Sequence, residues 1–402
     1  GLAIDAGAEL VTSVRAYTGS EPEMIVFSQS WPQGWKAPTA GNPGSTIAPF
    51  PSFATASSNS GATLNFLQFG GCQLANTFGG RWTNSSAPPG GGFEGKFGCQ
   101  LGIPTMLYNE HGRGIVLSPG KNWLTAIHEQ GNQSVGIGIS AAVRSLPVAF
   151  SHETVLVAGA TISTTMRHLG DVLLQKSGKP RPDPYDDFVL GHLGYWTDNG
   201  AFYSSSNNHS GFANHQAAIL ALKDRWTEQK IPFRYVQMDD WQWVSGTTGS
   251  SNIDMPGIIH WPPDEVSIPA GMSDWLGMPT SQYCPMYSAN NDYITDPRYN
   301  YTWVIDDAAT VGATAIPVDE DFYHDVFTNG SHAQMKMFEQ DFLCTYAASS
   351  NLTKGDVATG MAWLHAMDAA AMKAKITLQL CMMCPAHVLA STELWCAGDT
   401  CS

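Results

Sequence analysis

The segment Phe233–Trp243, FRYVQMDDWQW, constrains the fold more than any other stretch. A run rich in aromatic and β-branched residues, Phe233 to Gln237, leads through Met238 into two carboxylates and two tryptophans. The run reads as a short buried strand, and charge placed at the end of a buried strand marks a site. Upstream, GHLGYWTDNGAFY (Gly191 to Tyr203) carries another strand around Leu193 to Trp196. Between them the spacing predicts a helix from Phe212 to Gln229, with Ile219, Leu222 and Trp226 on one face and Ser210 or Gly211 near its cap. Ile231-Pro232 ends it. Strand, helix and strand make a βαβ unit, whose right-handed crossover implies parallel strands with ligands at their carboxyl ends.

The alternation continues. A third strand is expected over Thr280 to Met286, before SANNDY (Ser288 to Tyr293), and a fourth over Met335 to Phe338, running into Glu339-Gln340-Asp341. A helix from about Asp356 to Lys373 precedes a fifth strand, Ile376 to Met382. These strand ends lie about 40 to 50 residues apart, against roughly 30 per βα unit of a plain eightfold barrel, and long loops account for the excess. Residues 1 to about 155 read differently. Short apolar runs (Met24 to Phe27, Ile115 to Leu117, Val135 to Val143), separated by turn-rich segments such as Ala87 to Phe97, predict an antiparallel β-sandwich. Ile162, Met166, Leu169 and Leu173 at helical spacing close it. Three prolines within Pro180 to Pro184 then fit neither helix nor sheet. The expected domains are a sandwich with its closing helix over 1–177, a Pro-rich linker over 178–185, and a (β/α) barrel over 186–402. About five βα units of that barrel fall within the chain.

Composition excludes several function classes. The net charge of −15 argues against nucleic acid or an anionic membrane as partner. Charged residues make up 14% of the chain, well below the roughly 25% of average soluble domains, which suits a strand-rich secreted glycoprotein. No apolar run is long enough to span a bilayer. The chain starts at Gly1 without a leader, so a signal peptide is expected to have been removed or to precede the given sequence. Asn84, Asn132, Asn208, Asn300, Asn329 and Asn351 each begin an Asn-x-Ser/Thr sequon, which points to the secretory route and an extracellular or cell-surface location. Chance occurrence is the competing reading. We expect carbohydrate on at least three of the six. Eight cysteines fit an oxidising compartment, with Cys72–Cys99 the best-supported pair because they flank a Gly-rich stretch in the sandwich. Cys284, Cys344, Cys381, Cys384, Cys396 and Cys401 are left unassigned. Zinc at the C-terminal cysteine cluster is the rival, with His387 as weak support. No metal or cofactor is expected.

LGYWTDNGAFY, FRYVQMDDWQW, MKMFEQDFL (Met335 to Leu343) and ITLQLCMMCPAHVLAS (Ile376 to Ser391), in that order and spacing, resemble the raffinose-synthase and α-galactosidase group of retaining glycoside hydrolases. GGFEGK, IVLSPGKNWL and the linker helix fall where that group's sandwich would put them, so the resemblance covers most of the chain. It implies an N-terminal β-sandwich followed by a (β/α)₈ barrel, and a carbohydrate partner. Retaining glycosidases use one carboxylate as nucleophile and a second, roughly 5 Å away, as acid then base. The resemblance assigns the nucleophile to Asp341, with Asp239 and Asp240 gripping sugar hydroxyls and Trp196 and Trp241 stacking on a pyranose face. The competing readings are a turn or helix cap for Asp239-Asp240, a solvated loop carboxylate for Asp341 and core aromatics for the tryptophans. Asp198 and Asn290-Asn291 read as loop formers.

Two departures from that pattern matter. Glu339 stands where many α-galactosidases keep a Lys, and a carboxylate there raises the pKa of Asp341 unless it points elsewhere. The relatives' acid/base Asp, on a sixth strand in an Arg-containing motif, has no counterpart. Asp399, in CAGDTC, is the late candidate. The expected function is hydrolysis or transfer of an α-galactosyl-type residue. The alternative is a non-catalytic glycosidase-like structural or glycan-binding glycoprotein of an extracellular assembly.

Overall fold

The computed structural model describes residues 9–19, 23–54, 64–70, 76–82, 102–131, 134–181, 183–197, 211–247, 256–271, 276–307, 313–328, 334–344 and 350–390. The chain divides into two compact units. The first comprises Gly1–Pro180, Leu343–Met361 and Met382–Ser402; the second comprises Arg181–Phe342 and Ala362–Cys381. Mixed sheets and helices build them.

In the first unit a seven-stranded antiparallel sheet runs Val11–Tyr17, Met24–Trp31, Phe150–Gly159, Gly114–Pro119, Thr105–Tyr108, Asn65–Gly70 and Asn76–Arg81. A three-stranded antiparallel sheet consists of Ser52–Ala54, Ser134–Ile139 and Ala126–Gly131. Side chains of both sheets meet in one apolar cluster: Phe66, Trp82 and Leu107 pack with Val135, and Phe53, Leu64 and Ile115 border them. The apolar runs that predicted strands at Met24, Ile115 and Val135 are strands of these two sheets, the last two buried along most of their length. Gly114 must be glycine, because a Cβ there would lie 2.2 Å from the Leu107 carbonyl oxygen. The expected closing helix runs Ile162–Ser177; Thr161 caps it and Gly178, at φ 67°, ends it in the left-handed conformation.

In the second unit five strands form a parallel sheet in the order Gly194–Tyr195, Tyr235–Met238, Thr280–Cys284, Met335–Gln340, Thr377–Leu380. These are the five strands expected, as parallel neighbours. The helix before the second strand is His215–Glu228, shorter than expected, because Asn214 rather than Ser210 or Gly211 caps it: its Oδ1 accepts from Ala217 N at 2.9 Å. Ile219, Trp226, Val236 and Met238 share one buried cluster, with Leu222 at its edge, so the even-numbered side chains of Tyr235–Met238 face the helix. The long loops expected between strands are in part a second five-stranded sheet: Trp243–Thr247, Pro256–Pro263, Tyr287–Ser288, Thr314–Pro317, Trp303–Asp306. Two of its strands, Pro256–Pro263 and Thr314–Pro317, carry proline, which propensity counts against strand.

Among the described residues no helix is long and apolar enough to cross a membrane, and no group of three or more His, Cys, Asp or Glu side chains is arranged to hold a metal ion. Cys72, Cys99, Asp198, Asp399 and the sequons at Asn84, Asn132, Asn208 and Asn329 lie outside the described residues. Asn351 opens a short helix, Asn351–Gly355, and Asn300 is exposed.

Candidate active site

Side-chain alternation along a strand puts residues i and i+2 on one face. With Val236 and Met238 turned to the helix, Gln237 and Asp239 face the other way. The sheet register extends that face across the neighbouring strands: Gln237 lies beside Ser281, Tyr283 beside Glu339 and Glu339 beside Gln379. Asp341 follows Glu339 by two residues, at the carboxyl end of its strand.

Tyr283, on the strand between those of Asp239 and Asp341, contacts one of these carboxylates directly. Its hydroxyl donates to Asp341 Oδ2 at 3.0 Å, and Phe342 N donates to Asp341 Oδ1 at 2.7 Å. Burial pushes the Tyr283 phenol far above its ordinary range, and the negative charges of Asp341, Asp239 and Asp240 push it further. The phenol therefore stays a proton donor. Phe342, directly after Asp341, holds a left-handed φ of 58°. That conformation is strained for a bulky side chain, and such strain clusters at functional sites.

Asp239 and Asp341 are 3% and 5% exposed, so neither is a solvated loop carboxylate, whereas Asp240 is half-buried. Asp239 Oδ2 accepts from Gln237 Nε2 at 2.8 Å and its Oδ1 from Asp240 N at 2.8 Å. Glu339 is 2% exposed and accepts from Gln379 Nε2 and Gln237 Nε2, each at 3.0 Å. Its two oxygens are thus directed at carboxamides. Gln237 Oε1 in turn accepts from the backbone N and the hydroxyl of Thr197, both at 3.0 Å.

The two tryptophans singled out in the sequence are placed differently. Trp196 is half-buried and meets Tyr235 edge to face at 6.4 Å. Trp241 is buried in the apolar cluster below the helix, with His215 stacked on its ring at 4.6 Å and its Nε1 donating to Thr197 Oγ1 at 3.3 Å. Asn291 Nδ2 donates to Ser288 O at 2.8 Å, and Asn290 Oδ1 accepts from the Ser288 hydroxyl, so this pair forms a loop as expected.

Sequence reasoning missed Tyr283, Gln237, Thr197 and Gln379. The available signal was polar residues at alternate positions of each strand, but Gln282 and Gln340 occupy the opposite parity and blur it. Gln340 faces backbone carbonyls, donating to Pro285 O at 2.7 Å.

No family model and no curated protein matches the chain. Solved structures do. The α-galactosidase TtGalA from Thermus thermophilus, in complex with p-nitrophenyl α-D-galactopyranoside, is 13% identical, with a TM-score of 0.47 over 94% of this chain and 72% of that one. The α-N-acetylgalactosaminidase NagBb from Bifidobacterium bifidum, as its GalNAc complex, is 11% identical, with a TM-score of 0.48 over 94% and 71%. The cycloalternan-degrading enzyme of Trueperella pyogenes, with cycloalternan, is 12% identical, with a TM-score of 0.42 over 89% and 57%.

Proposed function

We propose that the chain is a glycoside hydrolase-like protein that takes an α-galactosyl-type residue at the carboxyl ends of its parallel strands. In this reading residues 1–177 are the β-sandwich domain, 178–185 the linker and 186–402 part of a (β/α)₈-type barrel. The protein follows the secretory route, and the exposed Asn300 is one of its glycan acceptors. One observation carries the reading: Asp239, Asp240 and Asp341 stand at the carboxyl ends of the two strands flanking that of the buried Tyr283, whose hydroxyl donates to Asp341. Strand-terminal side chains of parallel folds meet in this way at ligand sites.

Each group then has a role. Asp239 and Asp240 accept hydrogen bonds from sugar hydroxyls, and Trp196 lies against the pyranose. In a hydrolase completed by an acid/base carboxylate, Asp341 would attack the anomeric carbon as the bond to the protonated leaving oxygen breaks, giving a glycosyl ester that water opens with net retention. The Tyr283 hydroxyl and Phe342 N–H hold Asp341 fixed before attack. Trp241 serves as support for Thr197.

One observation favours the second reading, a glycan-binding glycoprotein of an extracellular assembly without turnover. A retaining mechanism needs a second carboxylate roughly 5 Å from the nucleophile to protonate the leaving group. Glu339, the carboxylate of that strand face adjoining Asp341, has both oxygens directed at carboxamides. The two readings separate on incubation of residues 1–402 with an aryl α-galactoside. We expect the sugar to bind and no aryl alcohol to be released. Release that Asp341→Asn abolishes would instead establish the hydrolase.

A further inference from the structure

We propose that Glu339 is a positioning residue: its carboxylate sets the orientation of the Gln237 carboxamide and, through it, the carboxylate of Asp239. The inference rests on the sugar site proposed above and names what holds it in shape.

Gln237 is fully buried and lies at the centre of the network. An amide nitrogen carries two hydrogens. Here Nε2 donates to Asp239 Oδ2 at 2.8 Å and to Glu339 Oε2 at 3.0 Å, while Oε1 accepts twice from Thr197. Reversing the amide would set Nε2 against the Thr197 N–H and bring Oε1 up to two carboxylates. A buried donor facing a donor is costly, so one orientation is strongly preferred. Glu339 is what makes it so from the far side. It comes from a strand not adjacent to that of Gln237, and its other oxygen is held by Gln379 Nε2 at 3.0 Å on the neighbouring strand. The line Gln379, Glu339, Gln237, Asp239 thus transmits one fixed acceptor across four strands to the carboxylate that grips the sugar. Glu339 acts through Gln237 and not on the sugar.

The test compares Glu339→Met, which removes both acceptor oxygens and keeps the length, with Glu339→Gln, which keeps one. Each crystal structure is determined, and affinity for methyl α-D-galactopyranoside is measured by calorimetry on folded protein. In Glu339→Met the Gln237 Nε2 to Asp239 Oδ2 separation should open beyond about 3.5 Å, and affinity should fall about tenfold or more. In Glu339→Gln the Gln379 amide should reverse, because it has fewer bonds to lose, leaving Gln237 in place and affinity within about threefold of the parent. A merely structural glutamate would lower thermal stability and leave the affinity of the folded protein unchanged. Retention of the Gln237–Asp239 bond in Glu339→Met, or reversal of Gln237 in place of Gln379 in Glu339→Gln, overturns the proposal. If Glu339→Met does not fold, the Glu339→Gln structure decides alone. If the parent binds no galactoside, the sugar reading fails, while the two amide orientations still decide the role of Glu339.

Discussion

Between pH 6.5 and pH 4.5 the unit built on the antiparallel sheets is expected to lose most of its stability. Three fully buried histidines belong to it, His128, His152 and His387, and burial pulls each down from 6.5 to about 4. Each is held by its neutral ring. His128 Nε2 lies 2.7 Å from Ile103 O, His152 Nδ1 lies 3.3 Å from Asn122 Oδ1, and His387 Nδ1 accepts from Cys384 N at 2.9 Å. In the unfolded chain each binds a proton near pH 6.5; in the folded chain it resists until about pH 4. The unfolded state therefore holds more protons across this window, and stability falls as pH falls. At pH 4.5 the loss is on the order of 2 to 3 kcal/mol per histidine, and three together rival the roughly 5–15 kcal/mol of a whole domain. Urea unfolding followed at pH 7.5, 6 and 4.5 should show the midpoint dropping below pH 6.5, and His128→Gln should flatten that limb. An unchanged midpoint down to pH 4.5 would mean that these rings do not stay neutral.

The second large effect is in the layer behind the site. Phe338 is fully buried on the strand that carries Glu339 and Asp341, with Phe327, Trp261 and Tyr323 around it at 5.1, 6.0 and 6.2 Å between ring centroids. Tyr323 is itself pinned by Trp363 Nε1 at 2.8 Å. Phe338→Ala leaves a cavity that these rings cannot close, and should cost about 3–5 kcal/mol. Spread over a unit of this size, that lowers its unfolding temperature by roughly 10 °C. Calorimetry reads the shift directly, and a shift of about 2 °C or less would mean that the aromatic layer collapses to fill the space.

These elements differ in how far they were legible in the sequence. The five parallel strands were, because strand-like runs alternate with longer intervening segments, and the helix preceding the second presents Ile219, Leu222 and Trp226 at helical spacing. Asp239, Asp240 and Asp341 stood out as charges at strand ends. The second sheet did not stand out, since pairing between distant segments such as Tyr287–Ser288 and Thr314–Pro317 sustains strands of two and four residues that have no local signal. Nor did Tyr283, because a tyrosine in a β-rich run reads as core until its neighbours across the sheet are known. Trp241 shows the converse. The resemblance implied a sugar platform there, while the chain's turn after Asp240 sends its ring under the helix against His215.

The most direct test of the site is a calorimetric titration of the protein with methyl α-D-galactopyranoside, repeated on Asp239→Asn and Asp341→Asn. Both oxygens of each carboxylate accept from fixed donors, so an amide nitrogen at either position opposes a donor and disturbs the site without removing its shape. The account predicts saturable binding of one sugar per chain, weakened about tenfold or more by each substitution in protein that remains folded. Absence of saturable binding, or binding that survives both substitutions unchanged, would contradict it.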